Sequence, residues 1–149
     1  RPRTTRTGRP VPHTFEGKYL SNSLWLNSNN LESIQYLTKF VQNVIQQPEA
    51  LRWIDFSYNN IEDFHEELFS FPNLTILYLH GNCINDFDEI TKLKRLKNLK
   101  NLTLHGCPIE IQPFYRQHVI YLLPQLKNLD FTTVTPSETR GPAPPGAKD

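Results

Sequence analysis

The sequence has no methionine and only two cysteines, Cys83 and Cys107, among its 149 residues. Two thiols cannot staple a scaffold of this length, which favours a reducing compartment. A chain that opens on Arg1 without methionine reads as a fragment, a processed form or the visible part of something longer, so a missing signal peptide carries little weight. No apolar run approaches the ~18 residues of a membrane helix. Neither sign of charge dominates: 16 basic against 15 acidic side chains give a net charge of +1, which excludes a nucleic-acid-binding polycation. No G-x-x-x-x-G-K-[ST] or G-x-G-x-x-G string is present to cradle phosphates. Neither cofactor nor catalytic metal is expected.

What is there can bury a core. Hydrophobic residues make up 38% and charged ones 21%, which excludes a wholly disordered chain. The ends differ from the middle. Residues 1–18 read as a basic, Pro/Arg-rich extended arm, with Arg3, Arg6 and Arg9 spaced to grip an acidic protein surface. Residues 136–149 read as a Pro-rich tail with little that can pack. Neither segment can offset its ordering entropy by burial, so each should be mobile unless something, most simply a neighbouring molecule, holds it.

Between them, residues 19–135 repeat. Leu51, Ile54, Phe56, Asn59 and Ile61 recur as Leu74, Leu77, Leu79, Asn82 and Ile84, and again as Leu99, Leu102, Leu104, Cys107 and Ile109. Leu24, Leu26, Asn29 and Leu31 give an earlier copy, and Leu126, Leu129, Phe131 and Val134 a degraded last one. The strand positions Leu24, Ile54, Leu77, Leu102 and Leu129 are 30, 23, 25 and 27 residues apart. This is the leucine-rich repeat pattern, at roughly 20–29 residues per unit. It predicts an α/β solenoid: a short horseshoe of about five parallel strands with convex helices and a C-terminal cap from about residue 110. Helical spacing predicts a long helix from Ile34 to Ile45, stopped by Pro48, and shorter ones over 62–71 and 86–96. In the cap, Pro113 opens a helix, Pro124 ends it, and Leu126 to Phe131 supplies a last edge strand. Asn29, Asn59 and Asn82 form a ladder that satisfies the turns. Cys107 takes that slot as a buried structural thiol, and no Cys83–Cys107 disulfide is expected.

The strand residues between the leucines line the concave face, the usual binding surface of such folds. The middle column reads Trp25, Asp55, Tyr78, Thr103 and Asp130. The flanking columns read Ser23, Trp53, Ile76, Asn101, Asn128 and Asn27, Ser57, His80, His105, Thr132. Trp25, Trp53, Ile76 and Tyr78 should form one apolar patch suited to an interface hot spot, unless the arm or the segment Phe15–Leu20 folds over it. With Asp55, His80 and His105 they are the candidate partner-binding residues, joined by Arg3, Arg6 and Arg9 of the arm. Ser57, His80 and Asp55 resemble a hydrolase set only superficially, because an open sheet offers neither pocket nor oxyanion donors. His80 and His105 alone make a weak metal site. Lys92, Lys94, Arg95, Lys97 and Lys100 read as a solvated convex face paired with Glu62, Asp63, Glu66 and Glu67 one coil earlier.

The cap strings Gly106-Cys107-Pro108, Leu123-Pro124-Gln125-Leu126-Lys127-Asn128-Leu129-Asp130 and Val134-Thr135 resemble the short-repeat group found inside cells. That group includes phosphatase regulators, a spliceosomal A-prime subunit and an axonemal dynein light chain. Trp25-Leu26-Asn27, Trp53-Ile54-Asp55-Phe56-Ser57 and Leu77-Tyr78-Leu79-His80-Gly81-Asn82 are more narrowly similar to the leucine-rich repeat-containing protein 51 family. That resemblance implies a non-enzymatic protein of the cytoskeleton of cilia and flagella, a component of a large axonemal assembly associated with doublet microtubules. It implies tubulin or other axonemal proteins as partners, and no nucleic acid or membrane. A nuclear or spliceosomal scaffold and a phosphatase regulatory subunit are the competing readings.

Overall fold

The computed structural model describes residues 22–35, 37–44 and 47–147; the arm with Arg3, Arg6 and Arg9, and the segment Phe15–Leu20, lie outside the described residues. Five three- or two-residue strands lie parallel in chain order: β1 (Ser23–Trp25), β2 (Trp53–Asp55), β3 (Ile76–Tyr78), β4 (Asn101–Thr103) and β5 (Asn128–Leu129). Their register sets Leu24 beside Ile54, Leu77, Leu102 and Leu129, so each repeat stacks on the next without slippage. That central column is buried, as are Leu26, Phe56, Leu79 and Leu104 two residues on. An ordinary parallel sheet is covered on both faces. Here the described return segments cover one face only, the one that carries the leucines.

The Asn ladder closes each turn. Asn59 Nδ2 donates to the carbonyls of Leu26 and Phe56, at 2.9 and 2.8 Å, while its Oδ1 accepts from the backbone N–H of Asn29 and Leu31. Asn82 donates to Phe56 and Leu79 and accepts from Ile61 N–H. In the fourth unit the Cys107 thiol donates to the Leu79 carbonyl at 3.1 Å, and burial raises its pKa to about 11. Cys83 is exposed, and both thiols are free.

The returns depart from the expected helices. The first, longest unit carries the helix α1 (Leu37–Val44), with Leu37 and Val41 buried. The 62–71 return is a 3-10 segment, Glu66–Ser70, and the 86–96 return is α2 (Phe87–Lys92) followed by a 3-10 turn, Leu93–Arg95. A 3-10 turn rises ~2.0 Å per residue against 1.5 Å for an α-helix, so a 23-residue unit crosses the coil with fewer residues. Across these returns Arg95 bonds Glu66 at 2.7 Å and lies 4.3 Å over the Phe69 ring, so some of the convex pairing forms.

The cap departs further. Pro113 does not sit in the first helical turn; α3 (Tyr115–Leu122) starts after Phe114, which is left-handed at φ 60°. The last strand ends at Leu129. Asp130 and Phe131 are both left-handed, at φ 53° and 63°, and the chain reverses into β6 (Thr132–Thr133), antiparallel to β5. Phe131 is therefore 63% exposed rather than a core residue, and Thr132 leaves the column that holds His105. The reversal covers the edge of the sheet, which would otherwise offer unpaired backbone groups.

Residues 136–147 do not trail away. Helix α4 (Pro136–Thr139) has a capping box between Thr135 and Glu138. Arg116 of α3 bonds Glu138 at 2.8 Å and also donates to the carbonyls of Leu129 and Thr133, tying α3, β5, β6 and α4 together. Gln117 reaches the Pro142 carbonyl, and Pro144 is buried. Contacts from the chain's own cap hold this segment. The Arg116 hydrogen bond holds Glu138 well below its usual range, from 4.5 to about 2. A carboxyl depressed on folding contributes stability that is present above its unfolded value and lost as pH falls toward the folded one. Between pH 5 and 2 the melting temperature of Glu138→Gln should therefore fall less steeply than that of the unmodified chain, and identical slopes would contradict the coupling.

Candidate functional site

The aromatic face follows from the two-residue period of the strands, which sends Trp53 and Asp55, or Ile76 and Tyr78, to the same side. Register then stacks Trp25, Asp55 and Tyr78 in one row and Trp53 beside Ile76 and Asn101 in the next. The rings touch in sequence. Trp25 and Trp53 lie 5.6 Å apart between centroids, Trp53 and Tyr78 5.6 Å with near-perpendicular planes, and Tyr78 and Phe131 5.3 Å. His80 and His105 stack at 4.5 Å with planes only 8° apart, and Phe131 meets both. Such separations suit edge and offset aromatic pairs. The result is one aromatic strip across the strands from β1 to the cap, its members half-buried or, at Phe131, exposed.

Behind the strip, side chains of one coil tie down the preceding strand end. The Thr103 hydroxyl oxygen accepts from the N–H groups of Leu79 and His80 and lies 2.7 Å from His80 Nδ1. With its lone pairs so engaged, the hydroxyl donates to Nδ1, leaving the His80 proton on Nε2. Burial first, and then His105, lowers the His80 pKa, so the ring is neutral at pH 7, although Asp55 and Asp130 pull the other way. In the next coil Asp130 takes over the role of Thr103: its Oδ1 accepts from Leu104 and His105 N–H at 2.7 and 2.9 Å, and its Oδ2 from the Tyr115 hydroxyl at 2.7 Å. Thr103 is only 1% exposed, so this member of the middle column supports the face rather than presenting itself.

The structure brings together Trp25, Trp53, Asp55, Ile76, Tyr78, His80 and His105. Sequence reasoning missed Phe131 and Tyr58. Tyr58, left-handed at φ 57° and 61% exposed, sets its ring edge-on to His80, 5.3 Å away. It lies so close over Gly81 that a Cβ there would fall 2.5 Å from Cδ1, and Gly81 itself sits at φ +73°. A glycine one coil after an aromatic, at the same repeat position, was the available signal for Tyr58; nothing in the repeat pattern marked Phe131. Ser57, His80 and Asp55 do not form a catalytic relay: His80 Nδ1 is engaged by Thr103, and Asp55 Oδ1 accepts from Ser57 N–H at 2.8 Å as a turn closure. Among the described residues no group of three or more His, Cys, Asp or Glu side chains is placed to hold a metal ion.

A parallel coil stack with one aromatic face is the design of a repeat scaffold for protein interaction, and the family model "Leucine-rich repeat" matches residues 49–143. The chain is 46% identical over 131 residues to "Leucine-rich repeat-containing protein 51" of Mus musculus, covering 87% of this chain and 68% of that one. It belongs to the leucine-rich repeat-containing protein 51 family. A more distant relative is "U2 small nuclear ribonucleoprotein A'" of Mycosarcoma maydis, 36% identical over 46% of this chain and 28% of its own length. Among solved structures, the "SNF/U2A' complex" of Drosophila melanogaster superposes with a TM-score of 0.66 at 20% identity, covering 88% of this chain and 83% of that one, a likeness of fold.

Proposed function

We propose that this protein is a non-enzymatic structural or adaptor component of the ciliary or flagellar axoneme, associated with doublet microtubules. It binds protein partners through the concave face, and Arg3, Arg6 and Arg9 engage an acidic surface such as that of tubulin. The observation that carries the reading is the continuous aromatic strip from Trp25 to Phe131 on the sheet face opposite the described return segments. A run of large aromatics along the concave face of a repeat scaffold marks an interaction site. Fractionation of flagella tests it: after detergent and then high-salt extraction, the chain should remain with the axoneme. Release by detergent, or absence from flagella, would favour the nuclear scaffold reading that the A' relative motivates. The double substitution Trp53→Ala and Tyr78→Ala should abolish partner capture while moving the melting temperature by only a few degrees. A large thermal loss would show that the two rings are core.

A further inference from the structure

The residues that open the strands form a column of their own. Lys127 and Asn128 N–H both donate to the Lys100 carbonyl, and Lys100 and Asn101 N–H to that of Thr75. Thr75, Lys100 and Lys127 therefore stack coil on coil along one edge of the concave face. Neighbouring strands lie about 4.8 Å apart, which sets the two lysines side by side. Neither ammonium has an ion pair among the described residues, whereas Lys92 and Arg95 of the same basic run pair with Glu89 and Glu66 on the return side. Like charges at this spacing repel, and no acid stands between them to offset it. Beside them lies a recess of about 240 Å³, lined by Tyr78, Asn101, Leu102, Thr103, Asn128 and Phe131. Asn101 and Asn128 follow the two lysines in the chain and are partners in register. Half-buried Asn101 has no hydrogen-bond partner for its amide among the described residues. Asn128 Oδ1 faces the Thr133 hydroxyl at 3.5 Å, which leaves its Nδ2 to donate. The Thr103 hydroxyl is committed to Leu79 and His80, so these two amides are the free polar groups of the recess. Asp130, the acid of the same coil as Asn128, already accepts from three donors.

Resting on the reading that the concave face is the partner surface, we propose that its partner inserts a glutamate or aspartate side chain into this recess. The carboxylate accepts from the Asn101 and Asn128 amides, and Lys100 and Lys127 supply the counter-charge at the mouth. Tyr78 and Phe131 enclose the apolar stem of the incoming side chain. Their rings already meet nearly at right angles, 5.3 Å between centroids, so no nucleobase can stack between them. The partner is thus a protein segment bearing an exposed acidic residue. The site belongs to β4, β5 and the cap, and draws nothing from the tryptophans of β1 and β2.

The full, isotope-labelled chain is titrated with a blocked peptide carrying glutamate at alternate positions, and with its neutral glutamine counterpart. The side-chain amide resonances of Asn101 and Asn128 report the site. Saturable shifts of both are expected with the glutamate peptide. Binding should weaken about tenfold with the glutamine peptide, or when Lys100→Gln and Lys127→Gln are combined. Both lysines stand at the edge of the face, so the double variant should fold, and its melting temperature is the control. Lys94→Gln, on the return side, should bind like the original chain. Asn101→Ala should weaken binding without altering its salt dependence, which separates the recess from general attraction between charges. Equal binding of the glutamine peptide, equal losses from Lys94→Gln and the double variant, or binding that leaves both amides unmoved would overturn the proposal. So would tighter binding of an oligouridylate that moves the same amides, since the occupant would then be a nucleic acid. If the amides shift with chain concentration and no peptide present, the occupant is a second copy and the partner assignment falls. The flagellar fractionation is indifferent to these outcomes, so the two readings fail separately.

Discussion

Asn82→Ala is expected to cost about 3–5 kcal/mol and to lower the melting temperature by roughly 10–15 °C. The side chain is 4% exposed and makes three hydrogen bonds, to the carbonyls of Phe56 and Leu79 and from Ile61 N–H. Alanine strands Ile61 N–H, at about 1–3 kcal/mol, and takes one donor from each carbonyl at about 0.5–1.5 kcal/mol apiece, Phe56 keeping Asn59 and Leu79 keeping the Cys107 thiol. A hydrophobic replacement cannot mitigate this, because the lost partners are backbone atoms that no substitution removes. Asn82→Cys is the informative comparison, since the equivalent slot one coil on is filled by Cys107, which keeps a single bond to a carbonyl. It should lose less than alanine and more than nothing. Denaturant unfolding of the three chains measures the order; an alanine variant within 1 kcal/mol of the original would mean that the ladder is ornamental.

The second large effect is at Asp130, whose carboxylate joins cap to solenoid. Asp130→Ala removes the acceptor for two backbone N–H groups and for the buried Tyr115 hydroxyl, an expected loss of about 2–4 kcal/mol. It also frees the left-handed turn that places Phe131 over Tyr78, His80 and His105, so capture by the concave face should fall with stability. Asp130→Asn separates the two consequences. Its amide oxygen still accepts from Leu104 and His105, so it should retain more than half of the stability and keep Phe131 in place. Equal losses in both variants would show that negative charge, not acceptor geometry, matters there.

The repeat was legible because solenoid stacking forces the same residue types into the same slots. Leu77, Leu79 and Asn82 cannot be exchanged for polar or bulky alternatives without opening the core. Register followed for the same reason, and with it the grouping of Trp25, Trp53, Asp55 and Tyr78. The returns were less legible: Glu62 to Phe71 has helical spacing, but the coil leaves room only for a 3-10 crossing, a limit set by neighbouring units rather than by the segment itself. The cap was least legible. Whether Phe131 points in or out is decided by two consecutive left-handed residues held through Asp130 and Tyr115, contacts 15 residues apart that no periodicity announces. The tail's packing was hidden because its anchor, Glu138, is polar and its partner, Arg116, lies on a helix of the preceding cap.

The brevity of the strands has a consequence for how such a surface changes. With three residues in each of β1 to β4, the strand part of the face is only about 10 Å across, and each strand offers it at most two outward side chains. A segment lying along the face meets the units one after another, like a reader moving over a line of two-letter words. Exchanging one word alters what is recognised at that point and leaves the spelling of its neighbours intact. The backbone, carrying the leucines and asparagines on its other side, need not move at all. New preferences can therefore be written into this scaffold locally, without renegotiating the fold that displays them.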